Sequence, residues 1–157
     1  MTPRALALAL ALALASASVG CGRPFVAATP AGFVDLGDRY GSSEYRATTA
    51  DGVVLGIRAF DNDPKGALAF WSRVVERRTH EMAGYALLDK RDVTTASGLK
   101  GVEMRFGHDE GKDPYLYYLA LFVTDAKVYV LEAGGPKAEV TKQEAQIDWA
   151  IRNFAQK

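Results

Sequence analysis

Residues 115–124 read YLYYLALFVT, apolar or aromatic at nearly every position. A β-strand sends successive side chains to opposite faces, so a strand here is greasy on both. Strands of that kind lie inside a sheet with cover above and below. The chain must therefore supply a layer on each side of a sheet.

The remaining segments provide them. Residues 99–108 alternate, with Val102, Met104 and Phe106 on one side and Glu103 and Arg105 on the other. Residues 85–94 form a further strand, crowded by Asp89, Lys90, Arg91 and Asp92. Residues 127–133 follow a turn at Asp125-Ala126 and are ended by Gly134-Gly135-Pro136. Upstream, residues 44–48 and 53–60 flank Asp51-Gly52, a hairpin signal, with Val53, Leu55 and Ile57 on one face and Arg58 on the other. Between these groups the period changes. Asp63-Pro64 offers an N-cap and a proline for the first helical position, Ala67, Trp71, Val74, Val75 and Met82 recur at helical spacing, and Gly84 supplies the stop. Residues 138–155 place Ile147, Ile151 and Phe154 on one stripe, with Trp149 and Ala150 beside it, and form a last helix. The order β-β-α-β-β-β-β-α with short turns predicts an α+β fold, a three-layer α/β/α sandwich with an antiparallel sheet flanked by helices.

The N-terminus has a different composition. Arg4 is its only charge, residues 5–15 are an Ala/Leu run, and Ser16, Ala17, Ser18, Val19 and Gly20 lead to Cys21. This is the pattern of a secretory signal peptide, too short to cross a membrane. Ser18-Val19-Gly20-Cys21 resembles the lipobox of bacterial lipoproteins, although that pattern prefers Leu where Ser18 stands. The resemblance implies cleavage before Cys21 and acylation of Cys21, which explains why the only cysteine in the chain sits here. A cut after Ala15-Ser16-Ala17 would instead release a soluble periplasmic or secreted protein with a solitary thiol. Gly22, where an aspartate would resemble an inner-membrane retention signal, favours the outer membrane, facing the periplasm. Residues 1–20 are thus a lipoprotein signal peptide, 21–30 a flexible tether with Pro24 and Pro30, and 31–157 a single α+β domain.

Charge and composition narrow the function. The chain carries 19 basic and 19 acidic residues, so no electrostatic case exists for nucleic acid as a partner. Its 48% hydrophobic content suits a folded domain and excludes general disorder. His80-Glu81 opens like a zinc-protease motif but lacks the second histidine one turn later. Asp61-Asn62-Asp63 imitates the start of a calcium loop, yet Lys65 takes a ligand position and Ser72 stands where a bidentate Glu belongs. The densest set of metal-ligand types is His108, Asp109, Glu110 and Asp113, on a loop between strands that also contains Lys112. No G-x-S-x-G or phosphate-cradling loop occurs, Gly37–Gly41 lacks the Lys-Ser/Thr ending, and Cys21 lies outside the domain, so no catalytic residue and no cofactor is assigned. Glu103 and Arg105 read as members of a stabilising cross-strand pair. Tyr115, Tyr117, Tyr118 and Tyr129 come from adjoining strands and are the candidates for a docking surface; Tyr115 and Tyr117 share a face and Tyr118 points oppositely.

From about Ala31 to Phe154 the chain resembles the Mog1/PsbP-like superfamily, including the DcrB-like bacterial envelope lipoproteins. The resemblance rests on Ala31-Gly32-Phe33 at the domain entry, the Gly52-centred hairpin, the long helix after Asp63-Pro64, the later strands and a helix ending Ile151-Arg152-Asn153-Phe154. It implies the α/β/α sandwich and a role as a binding or assembly subunit, and carries over no site residue. The reading that follows is a non-enzymatic, lipid-anchored periplasmic binding or assembly domain, joined to the membrane through Cys21 and partnered by another envelope protein. The alternative is a small-ligand or metal-binding protein, or an enzyme, using a sheet–helix cleft near His108.

Overall fold

The computed structural model describes residues 22–37, 44–110 and 113–157. Thr49 closes the first hairpin: its backbone N–H donates to the Val53 carbonyl at 2.9 Å and its hydroxyl accepts from the Val53 N–H at 3.1 Å. Gly52 supplies the left-handed residue of that turn, at φ 86°. The turn fixes the register of β3 (Glu44–Thr48) against β4 (Val54–Asp61), and β2 (Val34–Asp35) adds to the outer side of β3.

At the end of β4 the chain reaches Asn62, which is buried and uses its whole amide. Its Nδ2 donates to the carbonyls of Gly66 at 3.1 Å and Thr124 at 2.8 Å, and its Oδ1 accepts from the Gly66 N–H at 2.9 Å and Trp71 Nε1 at 2.8 Å. One side chain thereby ties the strand end to the start of α1 (Leu68–Ala83) and to the distant turn that begins at Thr124. The helix begins four residues later than its proline suggested. Asp63 and Pro64 lie in the preceding loop, and Ala67 occupies the N-cap position with no side-chain cap. Gly84 ends α1 at φ 67°, its N–H on the His80 carbonyl, as the glycine signal required.

After α1 the chain meanders back across the sheet through β5 (Ala86–Thr94), β6 (Lys100–Glu110), β7 (Asp113–Val123) and β8 (Lys127–Pro136). β8 then pairs with β4, giving a seven-stranded antiparallel sheet in the order β2-β3-β4-β8-β7-β6-β5. The charged run of β5 is explained by its place at an edge, where charge discourages pairing with another chain. β7, apolar on both faces, lies inside.

Two cores result. On one face Trp71 and Val75 of α1 pack over Met104, Phe106, Leu119, Leu121 and Val130. On the other, α2 (Lys137–Lys142) and α3 (Glu144–Arg152) cover Leu55, Ile57, Tyr118, Phe122, Tyr129 and Leu131. The expected last helix is therefore two, broken at Gln143, and it stops before Phe154. Residues 155–156 form β9 (Ala155–Gln156), which pairs antiparallel with β1 (Phe25–Val26).

That pairing corrects the reading of residues 21–30 as a flexible tether. Phe25 is 2% exposed and lies 6.1 Å, ring to ring, from Phe154, which in turn stacks on Phe122 at 5.3 Å. The Pro24 carbonyl accepts the Lys157 N–H at 3.1 Å, and the Thr29 hydroxyl accepts from Tyr45 at 2.8 Å. Proline and small residues looked structureless because a two-residue strand is too short to show a period; a single buried ring fastens it. Residues 1–21, with Cys21 and the expected cleavage sites, lie outside the described residues.

Truncating Phe25 removes an aromatic from a closed core, a change that typically costs ~3–5 kcal/mol. Phe25→Ala should lower the urea midpoint accordingly, whereas Val26→Ala, on the exposed side of the same strand, should shift stability by less than about 0.5 kcal/mol. Equal and negligible effects would restore the tether reading.

Candidate functional site

On the face carrying α1, the helix packs against β5, β6 and β7. Val54 and Phe60 of β4 remain 40% and 48% exposed on that same face. The register places Gly56 of β4 between Arg46 of β3 and Glu132 of β8, and Gly134 of β8 between Val54 and Tyr117 of β7. The result is a trough of about 360 Å³ with a glycine floor, walled by Tyr85, Tyr115 and Tyr117 and reached by Arg46 and Glu132.

Packing among the described residues does not demand this floor. Among the described residues, a Cβ on Gly56 would find nothing nearer than 3.8 Å, and on Gly134 nothing nearer than 3.4 Å; neither residue has a positive φ. Gly101 is the contrast, since a Cβ there would lie 2.5 Å from the Leu121 carbonyl and from the Phe122 ring. Glycine inside a strand weakens it by roughly 0.5–1 kcal/mol relative to alanine. The recurrent causes besides packing are a bulge, a tight bend, or the close approach of a ligand or another backbone, and the register runs through Gly56 and Gly134 without a bulge.

Polar groups at the trough are pre-set. Tyr117 Oη donates to Glu132 Oε1 at 2.5 Å, and the Arg58 guanidinium pairs with the same oxygen. Glu132 Oε2 has no hydrogen bond among the described residues and lies toward Gly56. Tyr85 joins the wall by packing its ring 5.5 Å from that of Tyr117 and 5.0 Å from that of His108.

The sequence candidates divide cleanly. Tyr115 and Tyr117 stand together on the trough, Tyr115 being 37% exposed. Tyr118 and Tyr129 are buried on the opposite face, so the four tyrosines form no single patch. The His108 ring lies on Tyr85 with Nδ1 3.3 Å from the Gly84 carbonyl, a packing contact at the end of α1. Asp109 is exposed, and the side chains of Glu110 and Asp113 lie outside the described residues. Among the described residues no three His, Cys, Asp or Glu side chains gather as a metal site requires. The sequence reading gave no site role to Arg58, which it placed only on the outer face of its strand, to Glu132, or to the two floor glycines. Gly134-Gly135-Pro136 carried a signal, but as a turn; the strand in fact continues through all three residues.

The opposite face holds a second charged group with a different character. Glu103 is fully buried and accepts from Arg105 Nε at 2.7 Å with one oxygen and from Arg91 Nε at 2.8 Å with the other. Its pairing with Arg105 is along one strand, and the cross-strand partner is Arg91 of β5. Asp148 and Glu144 of α3 close the network on Arg91, Arg105 and Tyr118. Every oxygen of Glu103 is committed, so this group fastens α3 to the sheet and offers nothing to a ligand.

Solved structures with this architecture include LpqN of Mycobacterium tuberculosis, involved in cell envelope biogenesis, at TM-score 0.60 and 11% identity over 83% of this chain and 82% of that one. The Ran-binding protein Mog1p of Saccharomyces cerevisiae superposes at TM-score 0.57 and 16% identity, over 85% of this chain and 90% of its own. Cyanobacterial PsbP of Synechocystis does so at 0.57 and 8% identity, over 85% and 87%. No protein-family model and no curated protein matches the sequence. The fold is the Mog1/PsbP-like α+β sandwich. Identities this low define architecture and assign no activity.

Both hydroxyl–carboxylate pairs make an alkaline prediction. Burial, then the neighbouring Glu132, raises the Tyr117 phenol well above its ordinary value of 10.0, and burial with the Glu144 hydrogen bond raises Tyr118 to about 12. Burial moves Tyr45 and Tyr129 the same way. Unfolded tyrosines ionise near 10 while these stay protonated in the folded chain, so their contribution is complete below that pH and is lost as pH rises above it. Melting temperature should fall between about pH 9 and pH 12, and Tyr117→Phe should make the fall shallower. Tyrosinate absorbance appearing in the folded protein at the ordinary pKa for every tyrosine would contradict this.

Proposed function

We propose that the chain is a non-enzymatic, lipid-anchored binding or assembly domain of the bacterial envelope, facing the periplasm, and that the glycine-floored trough is its contact surface for another envelope protein. The observation that carries this reading is the pair Gly56 and Gly134, kept small in central strands where nothing among the described residues needs them small. Tyrosine walls suit such a surface, because they supply large rigid contact area at low entropic cost. The address comes from the Ala/Leu leader and the small residues before Cys21, and it agrees with the envelope role of LpqN, which shares the fold.

The anchor has a geometric consequence. Only Gly22 and Arg23 separate Cys21 from Pro24, whose carbonyl is already held by Lys157. Acyl chains on Cys21 would thus keep the domain within roughly 10 Å of the bilayer, as three extended residues reach no further. The chain enters beside Phe25 and Phe154, on the α2–α3 side, while the trough lies on the other face of the sheet. The contact surface is turned away from the point of attachment.

Two measurements test the proposal. A photo-crosslinking residue in place of Tyr115 should give a discrete protein adduct in intact cells, and Gly56→Val should reduce it at least about tenfold while leaving the melting temperature within a few degrees, since a valine fits the strand but fills the floor. No adduct at Tyr115, or one indifferent to Gly56→Val, removes the trough from the proposal. Separately, Cys21→Ser should move the protein from the membrane to the soluble fraction, and intact mass of the native protein should show acylation. An unmodified thiol would refute the anchor.

A further inference from the structure

A second concavity lies between α1 and the edge strand β5, away from the trough, with a volume of about 540 Å³. It is in the size range of small-molecule sites. Its walls are Phe70 and Val74 of α1 and Leu87 of β5, exposed by 43%, 37% and 38%, and Phe106 of β6 forms its floor. Val74 belongs to the apolar stripe of α1 in sequence, but Trp71 and Val75 take the sheet and Val74 is left at the rim. Exposed apolar side chains gathered around one concavity offer a surface that an apolar ligand can cover.

The rim is cationic. Arg73 has no acidic partner among the described residues, and Arg77 gives Nε to the exposed Glu81 at 2.8 Å. Among the described lining residues the one carboxylate, Glu76, is held by Lys90 of β5 at 2.8 Å, a bridge between the helix and the edge strand. The geometry points to a binding site for a single-chain amphipathic anion, a monomeric fatty-acid carboxylate: the hydrocarbon covers Phe70, Val74 and Leu87, and the carboxylate meets Arg73 and Arg77. Charge disfavours two other occupants. Two copies of the groove face to face would oppose two cationic rims, and the leader of residues 1–20 carries Arg4 and no acid to offer them.

The test is calorimetric titration of the purified protein with dodecanoate, octanoate and uncharged dodecanol below their aggregation concentrations, together with vesicles containing anionic phospholipid. Dodecanoate should bind at least about tenfold more tightly than octanoate, as added buried methylenes require. Arg73→Glu should weaken dodecanoate about tenfold and leave dodecanol unchanged, because it alters only the charged end. A Leu87→Glu variant, at an exposed position, should weaken both. Gly56→Val, in the trough, should change neither, which separates this site from the proposed protein contact. Failure to bind dodecanoate, affinity indifferent to Arg73→Glu, or binding to the vesicles alone would overturn the inference.

Discussion

A single helix cannot cover one face of a seven-stranded sheet. Strands spaced about 4.8 Å apart put the outermost strands roughly 29 Å from each other, and a helix with its side chains is about 10–12 Å across. The order of the sheet decides which part goes bare. Because β4 and β5 lie far apart, α1 must carry the chain across, and it settles over β5, β6 and β7 where Met104, Leu119 and Leu121 await it. Among the described residues, nothing covers β3, β4 and part of β8 on that face. The opposite face has more material: α2, α3, and the small β1–β9 ribbon fill it from helix to edge. The trough is therefore a product of topology before it is a product of any side chain.

Side-chain chemistry then separates a site from a brace. Glu103 and Glu132 both face arginines and both lie near a tyrosine, yet they are used differently. Glu103 is sealed under α3 with one oxygen on Arg91 and the other on Arg105. Breaking such a buried pair by removing one member generally costs ~3–5 kcal/mol, because the survivor is left charged and unpaired. Glu132 spends a single oxygen on both Arg58 and Tyr117 and keeps 22% of its side chain exposed beside a glycine floor. The first arrangement stiffens the sheet against α3. The second holds a polar group in a fixed position and leaves part of its hydrogen-bonding capacity unspent.

Much of this was legible in the sequence. Period-2 alternation located β6, the doubly apolar run located β7, and Asp51-Gly52 and Gly84 set a turn and a stop, so the order of the long elements and the fold class followed, while the two-residue strands β1, β2 and β9 did not. What escaped was tertiary in origin. The Asp63-Pro64 signal lost to Asn62, whose four hydrogen bonds come from residues as distant as Thr124 and cannot be read from local sequence. Residues 25–26 form a strand only because 155–156 are there to pair with them. Of the site, the shared face of Tyr115 and Tyr117 was readable from strand parity. The floor was not, because Gly134 and Gly135 look like a turn unless the partner strands that hold them extended are known.

These corrections converge on how force and contact pass through the molecule. A loose tether would let the domain sample a wide arc and would make the facing of the trough irrelevant. Docking of residues 23–30 removes that slack. The N-terminal segment is joined to the C-terminus through the Phe25–Phe154 contact and the Pro24–Lys157 hydrogen bond, so a load applied near residue 22 is carried into the α2–α3 core. From there Phe154 and Phe122 hand it to the centre of the sheet, whose other side carries the trough. In the proposed reading, attachment and recognition are mounted on opposite faces of one layer, and the orientation of the second is set by the first.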